Sequence, residues 1–351
     1  VLAQTTNDFI QPQLNITSEQ SAELQVALEE FNARTENIPT VFEAANLESR
    51  QAIINSVNTG SWHEASTWSC SCIPGSSDDV VIQESHRVIA NNNTEINNLT
   101  IQEGGVLSLD GTVESTLTIH GDWSSAGFVK AGNMRVAFSN TIDQTFTGQA
   151  ECYDLWITSG NTINIEGSLR VRHHLEFTTG VLDATNGELR LGNNDFGPAS
   201  VIVGSGANYI GEVIREFEMK CEEDALHRVG FGLQGVTVSE LIGDFPTSGF
   251  LGSDNPNATM SNIRSWNEAT FQMDQIQSVD DILEPGVGYE IAIPAGTYYV
   301  DYKGSIQDFE MSLPVFKSNF IAFNLISNPT QAYLDLALLF ENMTGLEKSV
   351  N

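Results

Sequence analysis

The chain has 351 residues, 40% of them apolar, which is enough for two ordinary domains and too apolar for a wholly disordered chain. Asp and Glu total 46 against 15 Lys and Arg, a formal charge of −31, so nucleic acid and anionic lipid are repelled and no nucleic-acid partner is expected. No stretch approaches the ~18–20 consecutive apolar residues of a membrane-spanning helix, so no membrane insertion is expected either.

Val1-Leu2-Ala3-Gln4 resembles the end of a signal peptide, with Ala3 beside a cleavage site. Thr17-Ser18-Glu19-Gln20 has the spacing of a helix capping box, and Leu24, Leu28 and Phe31 follow on one helical stripe. A second helical stretch is predicted from about Ala44 to Val57, through Leu47, Ile53 and Ile54. Residues 1–58 are therefore read as a signal-peptide remnant and a short helical segment that shields the first strands behind it.

From Gly60 the texture changes to short runs such as Asn98-Leu99-Thr100-Ile101, Thr116-Leu117-Thr118-Ile119, Met134-Arg135-Val136-Ala137-Phe138, Asp154-Leu155-Trp156-Ile157, Ser168-Leu169-Arg170-Val171, Glu188-Leu189-Arg190-Leu191 and Ser200-Val201-Ile202-Val203. Most alternate polar and apolar residues, as a strand with one buried face must. Turn signals separate them, including Asp110-Gly111, Glu166-Gly167 and Asn186-Gly187. The first four recur roughly every 18 to 20 residues, a period that fits stacked coils better than a sandwich. Residues 59–212 are thus predicted to form a right-handed parallel β-solenoid. After Gly211 the regularity fades, and strand-like segments at Gly288–Ile293, Tyr298–Tyr302 and Phe320–Ile326 predict an antiparallel β-sandwich-like domain over 213–351, truncated, with Tyr333–Phe340 helical. The predicted class is all-β.

The chemistry-bearing residues are few. Cys70, Cys72, Cys152 and Cys221 fit an oxidising compartment and are the candidate disulfide cysteines. Cys70 and Cys72 are too close along an extended strand to bridge each other comfortably, so partners at Cys152 or Cys221 are expected. Arg170 and Arg172 fall on one face of their strand, near Arg190, and are candidate ligand contacts. Trp62 and Trp68 are candidates to stack on sugar rings, although aromatic residues at such positions are more often core. His173 and His174 are neighbours on a strand, so their imidazoles diverge unless a bulge intervenes. Asp78-Asp79 and Ser253-Asp254-Asn255 gather oxygen donors of the kind Ca²⁺ takes, without a full calcium-loop motif, and plain turn chemistry accounts for them. No nucleophile-elbow, phosphate-loop or dinucleotide signature is present, and apart from calcium no cofactor is implied.

Several segments in order resemble secreted multi-domain surface proteins of Bacteroidota, the cargo of type IX secretion. Gly60-Ser61-Trp62, Thr67-Trp68, Pro74, Asp79-Val80-Val81-Ile82 and His86-Arg87-Val88 are similar to the opening of their β-solenoid regions and, loosely, to G8-type domains. Leu117 to Trp123, Asp244 to Phe250, Pro285 to Tyr289 and Phe323 to Pro329 continue the likeness. In place of the family's usual Tyr-Pro after Asn-Pro stands Thr330-Gln331, and the sorting domain is absent, so the chain reads as a fragment. The resemblance implies a secreted or cell-surface module without catalytic residues, acting in adhesion or structural display, with extracellular polysaccharide or other surface proteins as partners. The competing reading is a polysaccharide-binding or polysaccharide-degrading β-helix protein.

Overall fold

A short run with one apolar face has nothing of its own to bury that face against, and stacking copies of it is the remedy. The computed structural model describes residues 52–306, other than 140, 195, 196 and 268, together with residues 325–328. Here the chain winds as a parallel β-solenoid, three strands to a coil. One coil comprises Asp79–Ile82, Arg87–Ala90 and Thr94–Ile96; the next Leu99–Ile101, Val106–Leu109 and Thr116–Ile119; the next Trp123–Ser125, Phe128–Ala131 and Arg135–Phe138. Later coils merge their strands at the corners, giving Gln144–Ile157 and Ser168–Asp183. Among the described residues the only helical turns are 3₁₀ turns at Ala65–Thr67 and Val238–Leu241.

Parallel register turns the alternation into apolar columns. Val80 lies against Leu99, Leu99 against Trp123, and Trp123 against Phe146. A second column runs Leu117, Val136, Leu155, Leu175, Val201. Every member of both is essentially inaccessible to water. Full burial of one such side chain is worth roughly 1.5–3 kcal/mol, so these columns dominate the solenoid's stability. At the corners, side chains accept backbone N–H groups from the following coil: Asp79 from Asn98 at 3.2 Å, Asn98 from Asp122 at 2.6 Å, Asp122 from Thr145 at 2.8 Å and Asp143 from Thr162 at 2.9 Å. Gly148 turns another corner at φ +88°, where a Cβ would meet the Ser125 carbonyl oxygen of the coil below.

The solenoid hands over to antiparallel structure within one strand. Val213–Cys221 pairs in parallel with Glu188–Leu191 at its start and antiparallel with Gly296–Ile306 along its whole length. A second antiparallel sheet is built from Ala225–Gly230, Gly288–Ile293, Ile263–Asn267 and Gln272–Gln275. Buried Phe231 joins the two, its ring centre 5.7 Å from that of Tyr289 on one sheet and 5.1 Å from that of Tyr302 on the other.

Two expectations need correcting. The helical stretch drawn to Val57 does not hold at its described end, where Ile53–Asn55 is a strand paired in parallel with Asp79–Ile82. Its β-branched pair alternates, with Ile54 buried toward Val80 and Ile53 turned to solvent, which is a period of two rather than 3.6. The helices expected over residues 17–31 and 333–340 lie outside the described residues. The cysteines also differ from expectation: Cys70 is bonded to Cys72, and Cys152 and Cys221 are free and buried. The segment is not extended, because Ser71 takes a φ of +53° and folds the two Cα atoms to 5.1 Å. Cys152 and Cys221 face the core from strands several ladder steps apart and lie at opposite ends of the shared register, on the order of 20 Å from each other. Burial pushes the Cys152 thiol well up, with Asp154 and Glu151 adding to the shift, so it is unreactive in the folded chain. An alkylating reagent followed by mass spectrometry is expected to modify neither free thiol in the native protein, two after denaturation, and four after denaturation with reductant.

Candidate functional site

Among the described residues, the outward-facing side of the last coils carries a cluster of ion pairs. Register sets Glu151 beside Arg170 and Arg170 beside Arg190 on three successive strands. Glu216, from Val213–Cys221, reaches between the two arginines. Arg170 donates Nε to Glu216 at 2.7 Å and a terminal nitrogen to Glu151 at 2.6 Å. Arg190 donates Nε to the other Glu216 oxygen at 2.7 Å and a terminal nitrogen to Asp301 at 2.9 Å. Arg172 points the same way, as strand alternation predicts, with Nε 3.7 Å from Glu151. The cluster therefore fastens the solenoid coils to both antiparallel strands that follow.

Burial alone would push Glu216 up, but hydrogen bonds from Arg190 and Arg170 outweigh it and hold this carboxyl below its usual range. Burial would likewise lower Arg170, and its bonds to Glu216 and Glu151 instead raise it. Above these residues lies a cleft of about 460 Å³, lined by Arg170, Arg172, Asn193, Glu218, Tyr299 and Asp301 among others. It opens where the four-residue strand Glu188–Leu191 stops and the chain turns aside into the small hairpin Asn193–Asn194 and Gly197–Pro198.

Of the sequence candidates, Arg170 and Arg172 are brought together at this cleft, whereas Trp62 and Trp68 are not surface residues at all. Both are at most 1% exposed, packed edge to face at 4.9 Å, with Trp68 Nε1 donating to the Trp62 carbonyl at 2.7 Å. They fill the interior of the first coils, so they have no face left for a sugar. Aromatic exposure at the cleft comes instead from Tyr299, 72% exposed and opposite Glu218 in register. Sequence reading did not single out Tyr299, Glu151, Glu216 or Asp301, because their relation to Arg170 is set by pairing between distant strands.

His173 and His174 sit on a bulge. Cys152 pairs with Val171 and Asp154 with His174, so Arg172 and His173 together face Tyr153 and both imidazoles stay out of the core. His173 stacks on Tyr153 at 4.5 Å and shares a 2.7 Å hydrogen bond with buried Asp154. His174 shares one of 2.7 Å with Ser200, its register partner. The two rings are tilted and 6.3 Å apart. Among the described residues no group of three or more His, Cys, Asp or Glu side chains is arranged to hold a metal ion. The acidic turns carry local bonds: Asp78 accepts from the Gly75 N–H at 2.8 Å, Asp79 from the Asn97 and Asn98 amides at 2.8 Å each, and Asp254 from the Thr247 N–H and hydroxyl at 2.8 and 2.7 Å.

The described residues are all-β, and in them a parallel solenoid passes directly into antiparallel sheets. A family model for the G8 domain matches residues 67–172, well under half of the chain, and ends within the strand that carries Arg170 and Arg172. No curated protein and no solved structure matches it. The similarity covers the coils between Thr67 and Arg172. No helix among the described residues is long and apolar enough to cross a membrane.

Glu216→Gln is expected to lower stability at pH 7 by about 2 kcal/mol, between the values for exposed and fully buried ion pairs. Because the folded pKa of Glu216 is depressed, its contribution is complete above the unfolded value of about 4.3 and is lost as pH falls through the folded value. Urea unfolding at pH 7 and pH 3 checks this: the gap between wild type and variant should be narrower at pH 3 than at pH 7.

Proposed function

We propose that this chain is a non-catalytic extracellular module that acts at a cell surface in adhesion or structural display. The observation that carries the reading is the pairing of the arginine cluster with carboxylates of neighbouring strands. A polysaccharide lyase or hydrolase on a solenoid needs a general base or acid turned toward the substrate with a pKa near the working pH. Arg170 and Arg190 are instead held by Glu151, Glu216 and Asp301, and their pairing raises both pKa values further from that range. These groups support joining strands rather than moving protons. Similarity to a G8 domain over residues 67–172 and the strongly acidic composition support an extracellular setting. The order of motifs shared with type IX cargo of Bacteroidota supports display as part of a longer exported protein.

The second reading, polysaccharide binding, draws on the cleft beside Tyr299. One incubation tests for cleavage. The protein is mixed with neutral and acidic polysaccharides, with and without calcium, and the supernatant is analysed for released oligosaccharides by mass spectrometry. The expected result is no product above the blank. Product release that disappears in an Arg170→Ala, Arg172→Ala double variant would make the chain an enzyme.

A further inference from the structure

The cleft over the arginine clamp combines three features rarely found together on a plain surface. Its floor is an array of guanidinium and carboxylate groups fixed by mutual hydrogen bonds. Arg170 and Arg190 each spend only part of their five N–H donors on Glu216, Glu151 and Asp301, so further donors and carboxylate lone pairs stay within a single held geometry. One wall carries Tyr299, a residue 72% exposed on a strand anchored by nine registered pairs. At the far side the Asn193 side-chain oxygen is buried and has no hydrogen-bond partner among the described residues. A buried acceptor left unpaired costs about 1–3 kcal/mol, which a donor on an incoming molecule would recover.

We propose that this cleft binds a neutral saccharide segment, an inference that rests on the surface-module reading and names its ligand. A pyranose has what the cleft lacks. Its C–H face suits an exposed aromatic ring, adjacent hydroxyls bridge a guanidinium and a carboxylate, and one further hydroxyl donates to Asn193 Oδ1. The charge favours a neutral ligand over a uronate or sulfated one. Three arginines line the cleft together with Glu216, Glu218 and Asp301, Glu151 stands behind Arg170, and the chain as a whole carries −31. A polyanion would face that field and would compete with the carboxylates that hold the floor together. Fixing the polar groups before binding lowers the ordering cost and suits a weak, repeated contact along a polymer.

The full chain is titrated by calorimetry with six-unit oligosaccharides of β-1,4-linked glucose, mannose and galactose, with oligogalacturonate as the acidic comparison. At least one neutral probe is expected to bind, and oligogalacturonate is not. Tyr299→Ala changes an exposed residue and should weaken binding about tenfold, the loss of one aromatic contact. Asn193→Ala should weaken it as well, while circular dichroism shows both variants folded. Failure of every neutral probe, preference for the acidic one, or binding unchanged in both variants would overturn the proposal. Those outcomes leave the non-catalytic reading standing, since that reading fails on released product, which the same samples report by mass spectrometry.

Discussion

One constraint governs this molecule: a coil of about twenty residues cannot bury its own inward side chains. Each strand is only two to four residues long in the early coils, too short to be stable alone or as a hairpin. Everything durable comes from repetition in register, which lines Val80, Leu99, Trp123 and Phe146 into one column and leaves their neighbours outside. A shift of one residue in any coil would drive polar side chains inward, so the ladder is strongly specified. The corner acceptors Asp79, Asn98, Asp122 and Asp143 strengthen that specification by tying each coil's backbone to the next at fixed positions.

The same ladder that buries the core also orders the outward surface. Outward positions are in register too, so residues that are isolated in sequence become neighbours across coils. Glu151, Arg170 and Arg190 are separated by about twenty residues each, yet they stand side by side. Glu216 and Asp301 then join them from strands that run antiparallel to each other. The clamp thus sits where parallel stacking ends, a place where an open edge would otherwise invite pairing with another chain. Tyr299 and the cleft exist because the short strand Glu188–Leu191 ends between longer neighbours.

Much of the architecture was legible because a two-residue period is written directly in the sequence. Thr116 to Ile119 and Glu188 to Leu191 could be placed to the residue, as could Gly288 to Ile293. The coil face made by Arg87–Ala90, Val106–Leu109 and Phe128–Ala131 was harder, since Ala90, Ser108 and Lys130 blur the alternation. Ile53 and Ile54 fit a helical stripe until a partner strand is known. The shared face of Arg170 and Arg172 followed from alternation, but their partners could not, being fixed by pairings across 46 residues for Arg170 with Glu216 and 111 for Arg190 with Asp301. The bulge at His173 has no local signal, because it arises from a mismatch with Gln144–Ile157. Trp62 and Trp68 are ambiguous from composition alone, and only the closed interior decides that they pack on each other.

The ladder also fixes a distance. Successive coils are spaced by about 4.8 Å, so the six steps from Ile54 through Val80, Leu99, Trp123 and on to the coil of Arg190 hold the two ends of the stack about 30 Å apart. A flexible linker would need roughly thirty residues to reach that span on average, and its end would wander over a comparable range. The solenoid instead sets a fixed height between its first coil and the clamp with its cleft.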